Sequence, residues 1–377
     1  MDISTLCIHG SDDTSHNTGS VTVPIYQTAT FVHPAVGQST GYDYSRVQNP
    51  TREQLEKIVA KLEGGADALA FSSGMAAITV MMELFRIGDH IIASADLYGG
   101  SIRLFHSISE KNGIIFDFVD RMDSSNVNSY IKPETKAIFI ETPSNPMMQV
   151  TDLFAISKVA KENNLLLIVD NTFLTPYFQN PIDLGADIVV HSGTKYLSGH
   201  NDTLAGFLVV RTAELSEKLR FIYKTIGACL APFDSWLIIR GIKTLAIRME
   251  KQQENAIRLA IWLMEQPKVK KVFYPGLNTH PDYDISIKQA RGFGAMISFE
   301  VDSNETAIRM LERVNLALYA ESLGGVETLI TYPMLQTHAD VDQTEREKKG
   351  INDKLLRLSV GLESIDDIID DLAQALS

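Results

Sequence analysis

From about residue 60 to residue 210 the chain repeats one pattern: a short apolar run, an amphipathic stretch of helical length, then another apolar run. The runs are ALAFSS (68–73), HIIAS (90–94), IIFDFV (114–119), KAIFIET (136–142), LLLIVDNT (165–172) and ADIVVHSG (186–193). Stretches such as MAAITVMMELFRI and LFAISKVAKENN lie between them. Apolar runs without alternation suit strands buried on both faces, and helix-length connections suit crossovers. The pattern therefore predicts βαβ units around a mostly parallel sheet, an α/β fold. TLAGFLVVR (203–211) follows after a connection too short for a crossover helix, which predicts an antiparallel neighbour.

The rest of the chain is organised differently. Residues 1–60 lack a strong period, and VPIYQTATF and GYDYSRVQNPTR read as extended segments and turns. An arm of that length is expected to wrap its own body or to cross to another subunit. Residues 234–266 read as one long helical stretch bridging two lobes. Beyond it, KVFYP (271–275), GAMISFEV (294–301), ETLITYP (327–333), KLLRLSVG (354–361) and the terminal IDDIIDDLAQAL mix strands and helices without regular alternation, as in a small α+β lobe. Single cores stop growing at roughly 250–300 residues. The 377 residues are accordingly divided into an arm (1–60), a large α/β domain (61–245) and a C-terminal α+β domain (246–377).

A net charge of −13 argues against nucleic acid and against an anionic membrane surface as partners. No apolar run is long enough to span a membrane, and MDISTLCIHGSDDTSHNTGS lacks the apolar centre of a signal peptide. The two cysteines, Cys7 and Cys229, are far apart, and no Cys/His cluster accompanies them. Neither a metal site nor a disulfide framework is expected, and free thiols fit a reducing cytoplasm.

Ligands of open α/β sheets bind at the carboxyl ends of the strands. In SSGMAA (72–77), Gly74 allows close backbone approach, and the N–H groups of Gly74 and Met75 open a helix, which makes an anion site. Asp170 follows LLLIV, and a carboxylate at the end of a buried strand must be paired or neutralised. Lys195 sits in HSGTKYLSGH between Ser192 and Thr194 on one side and Gly199 on the other. Partial burial would lower its pKa and free a nucleophilic amine, which suits Schiff-base chemistry. Each feature alone has an ordinary structural explanation: a tight turn, a helix cap, a solvated lysine. Together they fit pyridoxal 5′-phosphate (PLP), with phosphate on Gly74, Met75, Ser192 and Thr194. Asp170 would then face the pyridine nitrogen, and Lys195 the aldehyde. Tyr98, in DLYGGS, is placed to stack on the ring.

YSRVQNPTR, FSSGMAA, DLYGGS, ETPSNP, VDNTF, HSGTKYLSGHND, ESLGG and RLSVGLE, spread over nearly the whole chain, resemble the Cys/Met-metabolism PLP enzymes. These include cystathionine γ-synthase, the cystathionine γ- and β-lyases and O-acylhomoserine sulfhydrylase. The resemblance implies the type I PLP-dependent transferase fold (aspartate-aminotransferase-like), a seven-stranded, mostly parallel sheet with a smaller C-terminal α+β domain. It also implies amino-acid substrates and a homotetramer built as a dimer of dimers with shared active sites. By the same resemblance Tyr44 and Arg46 reach the phosphate of a neighbouring subunit, and Asn145 contacts the cofactor. Ser322 lies on the substrate side, and Arg357 clamps the substrate α-carboxylate, which a guanidinium fork matches.

Methionine γ-lyases carry cysteine where this chain has Gly100, which weakens that assignment. Glu321 resembles the residue of cystathionine-handling members that holds a distal ammonium, and Arg103 is placed to meet a distal carboxylate. NDTLAG, APFDSWL and TYPMLQTHAD resemble the synthases of Gram-positive bacteria more than the lyases. The expected reaction is γ-replacement: Lys195 moves the α-proton of O-acyl-L-homoserine, Tyr98 helps manage protons, and cysteine adds at Cγ. Elimination from cystathionine, sulfhydrylation and a PLP-binding regulator without turnover are the rival assignments.

Overall fold

Each apolar run between residues 60 and 210 forms a strand of one sheet. The strands are β1 (Asp67–Phe71), β2 (His90–Ser94), β3 (Ile115–Val119), β4 (Thr135–Glu141), β5 (Leu166–Asp170), β6 (Ile188–Ser192) and β7 (Gly206–Val210). The computed structural model describes residues 1–11, 19–339 and 343–377. The order across the sheet is β1-β7-β6-β5-β4-β2-β3. β7 runs antiparallel to both neighbours, and the remaining pairs are parallel. Along β4, Ile138 and Ile140 join the apolar cluster on one face while Ala137 and Phe139 join the cluster on the other. This is the period-two signature of a sheet covered by helices on both sides.

A second, five-stranded sheet follows: β8 (Val269–Phe273), β9 (Met296–Val301), β10 (Leu318–Tyr319), β11 (Leu329–Thr331) and β12 (Leu355–Ser359), in the order β10-β11-β12-β9-β8. Its inner residues Ile297, Phe299, Leu356 and Leu358 belong to the same apolar cluster as Ile138 and Val189 of the first sheet. The two sheets therefore share a core.

Two expectations about helices need correction. The stretch 234–266 is not one helix but two, Pro232–Ile242 and Leu245–Met264. The Gly241 carbonyl accepts from Thr244 N (3.1 Å) and from Arg248 Nη2 (2.9 Å), which diverts it from the helical ladder. The first sixty residues are also not all extended. Helices occupy Ile3–His9 and Pro50–Glu63, the second running across residue 60. Asn49 caps that second helix, its side chain accepting from Thr51 N at 3.0 Å, and Pro50 follows at the first helical position.

Candidate active site

The order of the first sheet turns around between β2 and β4, where the connection after β2 leads one way to β3 and that after β4 leads the other way to β5. The crevice outside the carboxyl ends of such strands is where ligands bind. Tyr98 follows β2, Glu141 ends β4, Asp170 ends β5 and Ser192 ends β6, and all four line one cavity. Ser73 and Gly74 reach the same cavity from β1 because β7 begins with glycine. A Cβ on Gly206 would lie 2.1 Å from the Ser73 carbonyl oxygen.

At one end of the cavity Ser73 caps the helix Gly74–Met82, its hydroxyl accepting from Ala76 N at 3.1 Å. The first-turn amides of Gly74 and Met75 have no acceptor within the helix, and the helix dipole adds positive potential. Ser192 and Thr194 stand opposite, Ser192 touching the position a Gly74 side chain would take. Thr194 Oγ1 accepts from Ala205 N (3.0 Å) and lies 3.3 Å from Ala205 O, a long contact that an anion can replace.

At the other end Lys195 Nζ donates to Ser322 Oγ at 2.8 Å. Burial, aided by the nearby Arg357 charge and opposed by Glu321, pushes the Lys195 amine down to about 8. Ser322 holds a positive φ of 95°, a strained value for a residue with a Cβ. Arg357, at the centre of β12 and only 1% exposed, donates from Nη1 to Asn145 Oδ1 (2.8 Å) and from Nη2 to Ser322 O (3.0 Å) and Thr331 Oγ1 (3.3 Å). Its Nε is buried without a partner. A buried guanidinium with an unused donor and no carboxylate on it is prepared for an anion that arrives from outside.

On the cavity floor Asp170 Oδ1 accepts from Thr172 N (3.0 Å) and Thr172 Oγ1 (2.6 Å). Burial raises its pKa above the usual carboxylate range despite these donors. The Asp170 carboxyl lines the cavity and keeps partial exposure there, so a ligand can reach it. Tyr98 lines the same cavity at the start of the helix Gly99–Leu104, and Gly100 makes room for its ring: a Cβ there would lie 2.5 Å from Tyr98 Cε1, while one on Gly99 would lie 2.3 Å from the Thr337 carbonyl oxygen.

The cavity thus brings together Gly74, Met75, Tyr98, Asn145, Asp170, Ser192, Thr194, Lys195, Glu321, Ser322 and Arg357. Three other residues singled out from the sequence lie elsewhere on this subunit. Tyr44 is 45% exposed, and the guanidinium of Arg46 sits 5.5 Å from its ring while donating to the Lys224 carbonyl. Arg103 is exposed on the helix that follows Tyr98 and does not line the cavity. The sequence reading passed over Glu141, Thr172 and Thr337, which also line it. Glu141 was accessible to the argument used for Asp170, since it too is a carboxylate ending an apolar run.

The fold and this polar wall define a fold-type I PLP enzyme. The chain belongs to the Cys/Met metabolism PLP-dependent enzyme family, whose model matches residues 4–377. It is similar to a cystathionine beta-lyase of Lactococcus lactis subsp. cremoris, with 50% identity over 374 residues covering 99% of this chain and 98% of the relative. It is similar also to a cystathionine gamma-lyase of Bacillus subtilis, with 48% identity over 372 residues covering 99% and 98%. Among solved structures it superposes on the cystathionine gamma synthase of Xanthomonas oryzae pv. oryzae in complex with aminoacrylate and cysteine. That match has a TM-score of 0.97 and 39% identity, covering 100% of this chain and 98% of that one. The chain is an enzyme of cysteine and methionine metabolism, and pyridoxal 5′-phosphate is its cofactor.

The residues present fit that cofactor. Free helix amides and two hydroxyls suit a phosphate, Asp170 suits a pyridinium, and a lysine that sheds its proton near pH 8 suits an aldehyde. Bound there, PLP would supply an electron sink conjugated to the substrate α-carbon. Around it the chain's own residues would do the rest: Arg357 would orient the α-carboxylate, Ser322, already bonded to the Lys195 amine, would direct it, and Lys195 would take and return the proton at Cα.

Proposed function

We propose that this enzyme forms the Cγ–S bond of cystathionine by γ-replacement, using O-acyl-L-homoserine and L-cysteine. In that reaction the Cγ–O bond breaks, the acyl group leaves as a carboxylate, and the cysteine sulfur bonds to Cγ as its thiol proton is released. The observation that carries the reading is the position of Glu321. It lies on the cavity wall beside Ser322 and near enough to Lys195 to raise the affinity of that amine for its proton. A carboxylate there can hold the ammonium of a second amino acid, a group that cysteine and cystathionine have and sulfide lacks.

A second reading is favoured by the names of the relatives, two of which are a cystathionine beta-lyase and a cystathionine gamma-lyase. In a lyase the same Glu321 would hold the same ammonium while cystathionine is cleaved. Incubating the holoenzyme with O-acetyl- or O-succinyl-homoserine plus cysteine or sulfide, and separately with cystathionine, decides between them. Cystathionine as the main product supports the synthase. Cleavage of cystathionine far faster than its formation replaces the synthase with a lyase, and the released keto acid identifies the bond.

We propose in addition that the active site is completed by a second copy of the chain. Val21, Val32 and Val36 in the N-terminal arm are more than four-fifths exposed at 87%, 89% and 105%. Apolar side chains strung along an extended arm support a role as an interface.

A further inference from the structure

β4 and β5 are parallel neighbours, and Glu141 is paired in register with Asp170. Side chains at paired positions point to the same face, with backbones about 4.8 Å apart. Both carboxyls line the cavity, so two acids stand side by side on its wall. Their surroundings differ. Asp170 has two donors from Thr172, and His191 adds favourable charge. Glu141, only 7% exposed, has one donor among the described residues, the Tyr98 backbone N–H, at 2.8 Å from Oε2. The other charges facing Glu141 are Asp96, a third buried carboxyl at the end of β2, and Arg357. Arg357 is already engaged by Asn145, Ser322 and Thr331.

Two adjacent buried carboxyls do not both ionise without a cation between them, and the better-solvated one keeps the charge. That one is Asp170. We propose that Glu141 is a positioning residue of the active site: held as the neutral acid beside Asp170, it anchors the Tyr98 backbone and leaves Asp170 as the single anion facing the cofactor ring. A second charge at Glu141 would offer the ring cation a competing partner off its axis. A residue unable to accept from Tyr98 N would leave this partly buried N–H without its acceptor at the start of the helix that Tyr98 opens. Burial and the adjacent Asp170 charge both push the Glu141 carboxyl well above the usual range, in agreement with this assignment.

The inference rests on the cofactor and not on which C–S bond the enzyme handles. It is tested by infrared spectroscopy of the holoenzyme at pH 7.5, reading the C=O stretch of protonated carboxylic acids. Asp96→Asn removes the other buried acid that faces Glu141 from the spectrum, and Glu56, buried elsewhere, is common to all the spectra compared. In that background Glu141→Gln should abolish a carboxylic-acid band, and Asp170→Asn should also abolish it by allowing Glu141 to ionise. Glutamine still accepts from Tyr98 N and mimics the neutral acid, so Glu141→Gln should bind PLP within about threefold of its Asp96→Asn parent. Glu141→Ala should bind it roughly tenfold more weakly, the loss of about one buried hydrogen bond. A carboxylic-acid band untouched by Glu141→Gln, or no such band at all, overturns the proposal, as does Glu141→Gln binding PLP as weakly as Glu141→Ala. If Glu141→Gln does not fold, the band change in Asp170→Asn decides the question alone.

Discussion

Arg357 lies in β12 of the second sheet and Asn145 in the loop that follows β4 of the first, yet the guanidinium Nη1 of one donates to the side-chain oxygen of the other at 2.8 Å. Asn145 thereby fixes the fork from the side of the large sheet, while Ser322 and Thr331 fix it from the small one. The buried Nε is left over. This geometry asks for a planar cation with several donors, which lysine is not.

Arg357→Lys should therefore weaken binding of the amino acid and leave the bound cofactor's visible spectrum unchanged. Losing a buried, hydrogen-bonded charge pair costs about 2–4 kcal/mol, or roughly 30- to 1,000-fold in KM. Spectral titration with substrate measures it. Wild-type affinity in Arg357→Lys would place the substrate carboxylate somewhere else.

The Lys195 amine, held at about 8 rather than 10.5, sets the pH of cofactor loading. Only the neutral amine attacks an aldehyde, so the loading rate of the apoenzyme should rise through pH 7 and level off above about 8. An ordinary lysine would keep gaining to about 10.4. Between these limits the unfolded chain binds the extra proton, so this group makes the apoenzyme more stable as pH rises through the window. Borohydride should fix the cofactor to the peptide that contains Lys195 and to no other.

Ser322 combines a strained backbone with a hydrogen bond to Lys195, and two substitutions separate these effects. Ser322→Gly relieves a cost of about 1–3 kcal/mol that Ser322→Ala retains. Both lose the hydroxyl that directs the amine. The apoenzyme melting temperature should be higher for Ser322→Gly than for Ser322→Ala, with catalysis impaired in both. Equal melting temperatures would mean that the loop relaxes without cost.

The first sheet was legible because its evidence is local. Six apolar runs carry their own strand signal, and a missing crossover helix marks β7. The helix break at Lys243–Thr244 was not legible, because its cause is Arg248 reaching back to the Gly241 carbonyl, a contact that no period encodes. The start of the helix Pro50–Glu63 was legible and overlooked, since Asn49-Pro50 followed by Glu53 is a helix start by cap, ring and charge. Within the site, Lys195, Asp170 and Gly74 stood out as chemistry in an unusual place. Glu141 was hidden by the motif around it, because ETPSNP drew attention to Asn145.

Arg46 tests assembly. On its own subunit it packs over Tyr44 and donates to the Lys224 carbonyl, outside the cavity that holds Lys195. If it serves a neighbour's phosphate, Arg46→Ala chains mixed with Lys195→Ala chains should regain activity, because one of the mixed sites carries neither defect. Absence of recovery after demonstrated subunit exchange would confine Arg46 to its own subunit.

Glu321 separates the reading of the second amino acid from the chemistry at Cα. It lines the cavity beside Ser322, at a position in the chain far from Asp170 and from Gly74 and Met75. Glu321→Ala should therefore leave the cofactor spectrum unchanged and raise the KM for cysteine. The rise should correspond to about 2–5 kcal/mol if the ammonium is desolvated against the carboxylate, and to less than about 1 kcal/mol at a wet rim. Slow elimination from O-acyl-homoserine needs no second amino acid and should proceed at the wild-type rate. Cysteine should outcompete sulfide in the wild type, because sulfide has no ammonium for the Glu321 carboxylate to hold, and that preference should shrink in Glu321→Ala. Should Glu321→Ala slow elimination as much as cystathionine formation, Glu321 acts on Lys195 and not on the incoming amino acid.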